Sequence, residues 1–267
     1  MIQSSNTRTY VVTGAASGIG KAAKSALEAA GHRVIGVDLA NSDVSADLAS
    51  AEGRSSLRRS IQQLGVSGLD GVLAIAGVSN ETSVPVRVNY FGAIATLEAL
   101  RPLLSSSAAP RAVVVSSFAA IAECDSELLE ALRSSNEEAA VTRADALAAS
   151  GSGRLIYAST KRAIAEWIRQ SSIAGEWAGA GIPLNAVAPG VIITPLTEPI
   201  LGTAEQRDEI MKMVPMPLNG PAQPEVIADA LVWLTSAQNT HVTGQVLFVD
   251  GGAEATVRGP RIFDERV

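Results

Sequence analysis

Tyr157 and Lys161 lie four positions apart in Tyr157-Ala158-Ser159-Thr160-Lys161, and Thr13-Gly14-Ala15-Ala16-Ser17-Gly18-Ile19-Gly20 forms a glycine-rich turn far upstream. Residues i and i+4 of a helix share a face, so the phenol and the ammonium can converge on one point. A free tyrosine titrates near about 10 and is a poor base at neutral pH, whereas a fixed cation beside it favours phenolate. Lowering the phenol by about three units takes roughly 4 kcal/mol, within the range of close charges in a partly dry site. With a dinucleotide's pyrophosphate at the glycine turn, the set is equipped for proton transfer coupled to hydride transfer.

The turn needs a strand before it and a helix after it, and the pattern supplies both. Gly14, Gly18 and Gly20, with Ser17 and Ile19 between them, let the backbone approach a phosphate at a helix N-terminus. Asp38 closes the next predicted strand, 18 positions beyond Gly20, where a carboxylate can accept from an adenosine ribose and repel a 2′-phosphate. Its neighbour Leu39 is no cation, and neither Ala16 nor Ser17 supplies one, so NAD is favoured over NADP. Asp47-Leu48 is placed to meet the adenine ring. The plainer alternatives are a structural turn, a capping Asp38 and an ordinary exposed Asp47.

Apolar β-branched runs alternate with alanine-rich helical stretches, the pattern of a parallel sheet wrapped by helices. Strands are expected at Thr9–Thr13, Arg33–Val37, Leu69–Ala76, Ala112–Ser116, Leu184–Ala188 and Gln245–Val249. Helices are expected at Gly18–Ala30, Arg54–Leu64, Val88–Leu104 and Pro224–Thr235, and the helix carrying Tyr157 is expected to run on to about Ala178. The expected fold is α/β, a single-domain Rossmann-type doubly wound parallel sheet over residues 1–267, with helices on both faces. Two segments break the rhythm. Residues 118–153 are too long for a loop and carry helical composition at Asp125–Arg133 and Glu137–Ala149, which predicts an inserted helical hairpin. Residues 194–224, rich in proline and methionine, read as a lid over the substrate.

A chain of 267 residues with 47% hydrophobic residues can bury a large core. A net charge of −6 without long like-charge blocks argues against nucleic acid or an anionic membrane as main partner. The single cysteine, Cys124, excludes an internal disulfide and suits a reducing compartment. The stretch Met1 to Thr9 is polar and shows no signal peptide, and the apolar runs are too short for a transmembrane helix. A cytoplasmic protein is expected. His32 and His241 lack a second ligand nearby, so no metal site is expected. Trp167, Trp177 and Trp233 are read as helix-packing residues.

In its motifs and their order the chain resembles the short-chain dehydrogenase/reductase family over nearly its full length. The matching pieces are Thr13 to Gly20, Asp38, Val88-Asn89-Tyr90-Phe91-Gly92, Ser116-Ser117, Tyr157 to Lys161, Asn185 to Gly190, Thr194 and Val249-Asp250-Gly251-Gly252. The resemblance implies an NAD-dependent alcohol dehydrogenase/ketone reductase with Tyr157 as general acid/base. Lys161 would lower its pKa and hold the nicotinamide ribose, and Ser117 would hydrogen-bond the substrate oxygen. Asn89 would tie a water to Lys161 where a helix is locally opened. Pro189, Gly190, Ile192 and Thr194 would fix the carboxamide, and Ala76-Gly77 would turn close to the cofactor. Ser116-Ser117 can also be polar residues at a strand end, and Asn89 a cap. Asn185 is expected to be structural.

Two departures stand out. Where many relatives carry Asn-Asn-Ala-Gly, this chain has Ala74-Ile75-Ala76-Gly77, so the bracing amides are absent. The step from Ser117 to Tyr157 spans 40 positions, longer than in most relatives. That insertion, with Glu28-Ala29-Ala30-Gly31-His32 and Ala51-Glu52-Gly53-Arg54, resembles the bacterial 3α-hydroxysteroid dehydrogenase/carbonyl reductase subgroup. The resemblance implies a homo-oligomer in which the hairpin obstructs one interface and leaves a dimer through the last strand and its neighbouring helix, a tetramer being the alternative. Leu196, Ile200, Leu201, Met211, Met213, Val214 and Met216 offer an apolar lid surface suited to a bulky, uncharged or cationic ketone or secondary alcohol. A simply packed lid helix is the alternative. From another class, a catalytically silent NAD-binding sensor would also use the glycine turn.

Overall fold

A computed structural model describes residues 7–260; Met1 to Asn6 of the polar N-terminal stretch lie outside the described residues, as do residues 261–267. In chain order the elements are β1 (Thr9–Thr13), α1 (Gly18–Ala29), β2 (Arg33–Asp38), β3 (Val44–Ser45), α2 (Ala51–Gln63) and β4 (Gly71–Ala74). A π-helical stretch at Val86–Gly92 leads into α3 (Ala93–Leu104). Then follow β5 (Arg111–Val115), a 3-10 turn (Phe118–Ile121), α4 (Ser126–Arg133), α5 (Glu137–Ala149) and α6 (Arg154–Ser171). The chain closes with β6 (Leu184–Pro189), α7 (Glu198–Leu201), α8 (Ala204–Met213), α9 (Pro224–Thr235), β7 (Val246–Val249) and α10 (Ala253–Arg258).

The seven strands form one parallel sheet in the order β3-β2-β1-β4-β5-β6-β7. The order reverses between β1 and β4, and in such sheets ligands bind beyond the carboxyl ends at that reversal. Alternation along each strand feeds two cores. Val11, Ala112, Val114, Leu184 and Ala186 face a layer containing Leu57, Leu97, Leu100, Ile164 and Ile168, while Tyr10, Val12, Val113, Val115 and Val187 face Ala23, Leu27, Ile227, Leu231 and Leu234. The doubly wound sheet with helices on both faces is therefore present, as the strand pattern predicts.

The helical hairpin is α4 and α5, capped by Asp125 (accepting from the Leu128 N–H) and Asn136 (accepting from the Ala139 N–H). Leu128, Leu129 and Leu132 of α4 are buried, as expected of one apolar face. Its link to the Tyr157 helix is direct: the Asp125 N–H donates to Ser159 Oγ at 3.0 Å.

Some elements differ from the sequence reading. The helix expected from Val88 to Leu104 opens as a π-helical segment that begins at Val86. The Tyr157 helix begins at Arg154 and stops at Ser171 rather than near Ala178, because the chain then folds back through tight turns that bury Trp177 against Trp167, ring centroids 6.4 Å apart. Trp233 is not a packing residue but stands 44% exposed on α9. The bracing that the missing amides would give comes from the opposite strand. Thr13 Oγ1 accepts from the Ile75 and Ala76 N–H groups at 3.0 and 3.1 Å, tying β1 to the end of β4. Asn185 is structural, its amide bridging Val242 and Gln245.

Candidate active site

The carboxyl ends of β1, β4, β5 and β6 open into a single cleft. Its lining holds Gly14, Ser17, Gly18, Ile19, Gly20, Ala76, Gly77, Ser117, Tyr157, Lys161, Pro189, Gly190, Ile192 and Thr194. The floor is the glycine turn. Gly14 has φ 71°, a left-handed conformation, and a Cβ on Gly20 would run into the Gly14 carbonyl oxygen. The first turn of α1 carries no acidic residue and the Ser17 side chain makes no cap bond, so the helix N-terminus is free to receive an anion.

Asp38 stands beside this turn rather than in the cleft lining. One of its oxygens accepts from the Ala16 N–H at 2.9 Å and the other from the Leu39 N–H at 2.7 Å. Its carboxylate is thereby fixed at the rim, with Leu39 exposed next to it. Asp47 and Leu48 also lie outside the cleft lining. The Ala46 N–H donates to the Asp38 carbonyl, Asp47 Oδ1 accepts from the Ala49 N–H, and Leu48 is buried.

The phenol, ammonium and hydroxyl of the cleft come from α6 (Tyr157 and Lys161) and from the chain just beyond β5 (Ser117). Lys161 is 3% exposed, its Nζ donating to the Val115 carbonyl at 2.8 Å and lying 5.6 Å from the centre of the Tyr157 ring. Ser116 Oγ donates back to the Lys161 carbonyl at 2.8 Å. The helix is thus stitched to the strand end at both the tip and the root of that lysine. Ser117 caps the 3-10 turn, accepting from the Ala119 N–H at 3.1 Å.

The electrostatics differ from the simple expectation of a cation-induced phenolate. Burial raises the Tyr157 phenol above its ordinary value, and the hydrogen bond with Ser117 pulls it the other way. Burial also pushes Lys161 down to about 8. Desolvation penalises both charged forms here, the phenolate of Tyr157 and the ammonium of Lys161.

Asn89 sits in the π-helical segment, behind the cleft. Its Nδ2 donates to the Val78 carbonyl at 2.9 Å and its Oδ1 accepts from the Val78 N–H at 2.8 Å. A Cβ placed on Gly77 would lie 3.2 Å from Asn89 Oδ1 and 3.5 Å from Lys161 Nζ, so amide and ammonium approach the same glycine.

Sequence reasoning missed Thr13 and Thr197. The Thr197 hydroxyl donates to the Ile192 carbonyl, accepts from the Thr194 N–H at 3.0 Å, and lines the cleft with Pro195 and Leu196. A threonine three positions after Thr194, across a proline, is a turn signal that could have found it. The segment beyond Thr194 leaves and returns at one point, because Ile192 bridges Ala222 and the Ile193 N–H donates to the Ala222 carbonyl. Within it, Leu201 and Met216 are buried against Phe118 and Val191, with Met211 and Val214 packed alongside. Leu196, Ile200 and Met213 stay 44%, 44% and 64% exposed. Among the described residues no cluster of three His, Cys, Asp or Glu side chains could hold a metal ion, and no helix is long and apolar enough to cross a membrane.

Comparison with known proteins places this geometry in a family. A family model described as enoyl-(acyl carrier protein) reductase matches residues 14–254. The 3-alpha-hydroxysteroid dehydrogenase/carbonyl reductase of Comamonas testosteroni is 36% identical over 252 residues, 93% of this chain and 97% of that protein. The cis-4-hydroxycyclohexanecarboxylate dehydrogenase of Sinomonas cyclohexanicum is 31% identical over 261 residues, 93% of this chain and 97% of that one. Among solved structures, the 3-alpha-hydroxysteroid dehydrogenase from Pseudomonas sp. B-0831 complexed with NADH aligns with a TM-score of 0.86 at 36% identity, covering 94% of this chain and 99% of that one. The resemblance to the hydroxysteroid dehydrogenase/carbonyl reductase subgroup read from the motifs is thus matched over nearly the whole chain. The chain belongs to the short-chain dehydrogenase/reductase family and is an oxidoreductase of the alcohol dehydrogenase/ketone reductase kind.

Proposed function

We propose that the protein is an NAD(H)-dependent enzyme interconverting a secondary alcohol and a ketone, with Tyr157 as the proton carrier. The observation that carries this reading is the convergence of Ser117, Tyr157 and Lys161 with the Gly14–Gly20 turn on one cleft. The turn and the open α1 N-terminus fit a pyrophosphate. Asp38 and Leu39 would meet the adenosine ribose, Asp47 and Leu48 the adenine, and Ala76 and Gly77 the cofactor's flank. Pro189, Gly190, Ile192 and Thr194 would hold the carboxamide end, with Thr197 fixing the last two. When bound, the nicotinamide supplies or accepts a hydride and leaves the proton chemistry to the protein.

In reduction, the Tyr157 phenol donates its proton to the carbonyl oxygen while the Ser117 hydroxyl donates a hydrogen bond to the same atom. The phenolate left behind is held by the Lys161 ammonium, whose charge matters most in a water-poor site. Asn89, next to Lys161 across Gly77, would pass the replacement proton through a bound water. In oxidation the same groups run in reverse, with the phenolate as base.

Supporting a bulky apolar substrate (steroid-like, terpenoid or aryl) are exposed Leu196, Ile200 and Met213 and a cleft lining whose only lysine or arginine is Lys161. Exposed Trp233 and Leu247 support a dimer through α9 and β7, and the lone Cys124 suits the cytoplasm. A spectrophotometric screen of NADH and NADPH consumption against steroid, monoterpene and aryl ketones tests the reading. No turnover of any ketone, with NADH bound, would instead mark a silent sensor. Asp38→Ala should weaken NAD more than NADP, and equal losses would remove the cofactor assignment.

A further inference from the structure

The α4–α5 pair contributes nothing to the cleft lining, yet one of its residues reaches the outer rim of the sheet. Glu137, the first residue of α5, pairs its Oε2 with Arg54 of α2 at 2.7 Å, and the Arg54 side chain is only 12% exposed. The same guanidinium donates to the carbonyls of Leu48 and Ala49, each at 3.3 Å. The other Glu137 oxygen is buried without a hydrogen bond and lies 3.7 Å from Arg87 of the π-helical segment.

The loop so held is closely boxed in. A Cβ on Gly92 would meet the Leu48 carbonyl at 3.0 Å, and one on Gly53 would overlap the Asp47 carbonyl. The loop follows β3, the strand beside β2, and its Ala46 N–H donates to the Asp38 carbonyl. It therefore forms the rim of the crevice at the β2 side, where the nucleoside half of a dinucleotide spanning the β1/β4 reversal must lie.

We propose that the inserted helical pair is a brace for this nucleoside rim, with Glu137 and Arg54 as positioning residues that set the Asp47–Leu48 loop through its backbone carbonyls. Glu137 orients Arg54, and Arg54 fixes the loop; neither touches the reacting atoms. The proposal rests on the dinucleotide reading above.

Calorimetric titration of the full-length protein with ADP-ribose, together with turnover using reduced nicotinamide mononucleotide, tests it. Glu137→Ala and Arg54→Ala should each weaken ADP-ribose by roughly five- to tenfold, and the double variant should be no weaker than Arg54→Ala, the non-additivity of residues acting as one unit. Turnover with the mononucleotide, which lacks the adenosine half, should stay within about twofold of the parent by the same additivity criterion. Arg54→Lys, which keeps the charge but loses the fork, should recover only part of the affinity. Should Glu137→Ala not fold, Glu137→Gln carries the test, since it keeps the volume and loses the ion pair. Undiminished ADP-ribose affinity in a folded variant, or an equal loss with the mononucleotide, overturns the brace. A parent protein that binds no ADP-ribose overturns both the brace and the dinucleotide reading. Normal ADP-ribose binding, with the predicted losses in the variants but no ketone reduced, leaves the brace standing and defeats only the assigned reaction.

Discussion

On one side of the cleft, Lys161 gives its ammonium to the Val115 carbonyl and receives the Ser116 hydroxyl at its own carbonyl, and α6 buries nine of its residues. On the other side, α8 buries none, and Leu196, Ile200 and Met213 stand in solvent above a small core of Phe118, Val191, Leu201 and Met216. The first wall is over-determined by hydrogen bonds and packing, which holds two ionisable groups in an unfavourable medium. The second is held mainly at its base, where Ile192 bridges Ala222. The proposed reaction needs the fixed wall, because misplacing a proton donor by an ångström costs rate steeply. The apolar side chains of the second wall are not already spent on packing, which suits the substrate contact proposed for them.

The largest effect that would break this contrast is at Tyr157. Tyr157→Phe should lower ketone turnover by about a thousandfold or more while NADH affinity stays nearly unchanged, read by steady-state kinetics and calorimetry. Lys161→Met should also abolish turnover, yet raise stability near pH 7, because the parent buries a charge there. The sign follows from Lys161 titrating at about 8 when folded, against 10.5 ordinarily. Between those values the unfolded chain binds the extra proton, so this group's contribution to stability rises with pH from about 8 to 10.5 and is at its lowest, and constant, below that window. Urea unfolding of parent and variant should therefore differ by up to about 3 kcal/mol at pH 7 and converge at high pH. A variant less stable than the parent at pH 7 would mean that the bond to Val115 outweighs the buried charge.

A smaller effect is expected at Thr13→Val, which leaves the Ile75 and Ala76 amides without their acceptor. The cost should be about 1–3 kcal/mol by urea unfolding. The smallest effects belong to the open wall. Ile200→Ala and Met213→Ala should change stability by less than about 0.5 kcal/mol. Their KM for a bulky apolar ketone should still shift by a few fold, as the loss of apolar contact predicts. A large stability loss with unchanged KM would make these residues packing after all.

How far the sequence discloses this contrast depends on the kind of signal each wall leaves. β1, β5, β6 and α9 were legible because buried strands and amphipathic helices write long apolar patterns. α4 and α5 were legible through the helical composition of Asp125–Arg133 and Glu137–Ala149, while their caps, Asp125 and Asn136, emerged only from the structure. A locally opened helix at Asn89 was implied by the family resemblance, but the extent of the opening, Val86–Gly92, was not legible, since one widened turn leaves the apolar rhythm of the following helix intact. β3 has two residues and no period to detect. α6 ends early for a tertiary reason, the burial of Trp177, that no local propensity encodes. At the site, residue types and spacing sufficed to nominate Tyr157 and Lys161, while Ser117 was nominated by the family resemblance. The direction of their titration was not accessible, because it depends on how much of the surrounding protein excludes water. Thr13 and Thr197 act on partners 62 and 5 positions away, and only the folded geometry links a hydroxyl to those amides and carbonyls.

The excursion through α4 and α5 has a further consequence for how the chain reaches its native state. Bringing Ser117 to Tyr157 closes a loop of 40 positions, which by polymer statistics costs about 3 kcal/mol of entropy for a structureless segment. Two short helices with their own N-terminal caps, joined by the Asp125–Arg143 ion pair at 2.6 Å, shorten that search by contracting the segment before its ends meet. The hairpin's contacts are between neighbours in sequence and those joining Ser117 to Tyr157 are not, so refolding should regain helical signal before it regains activity.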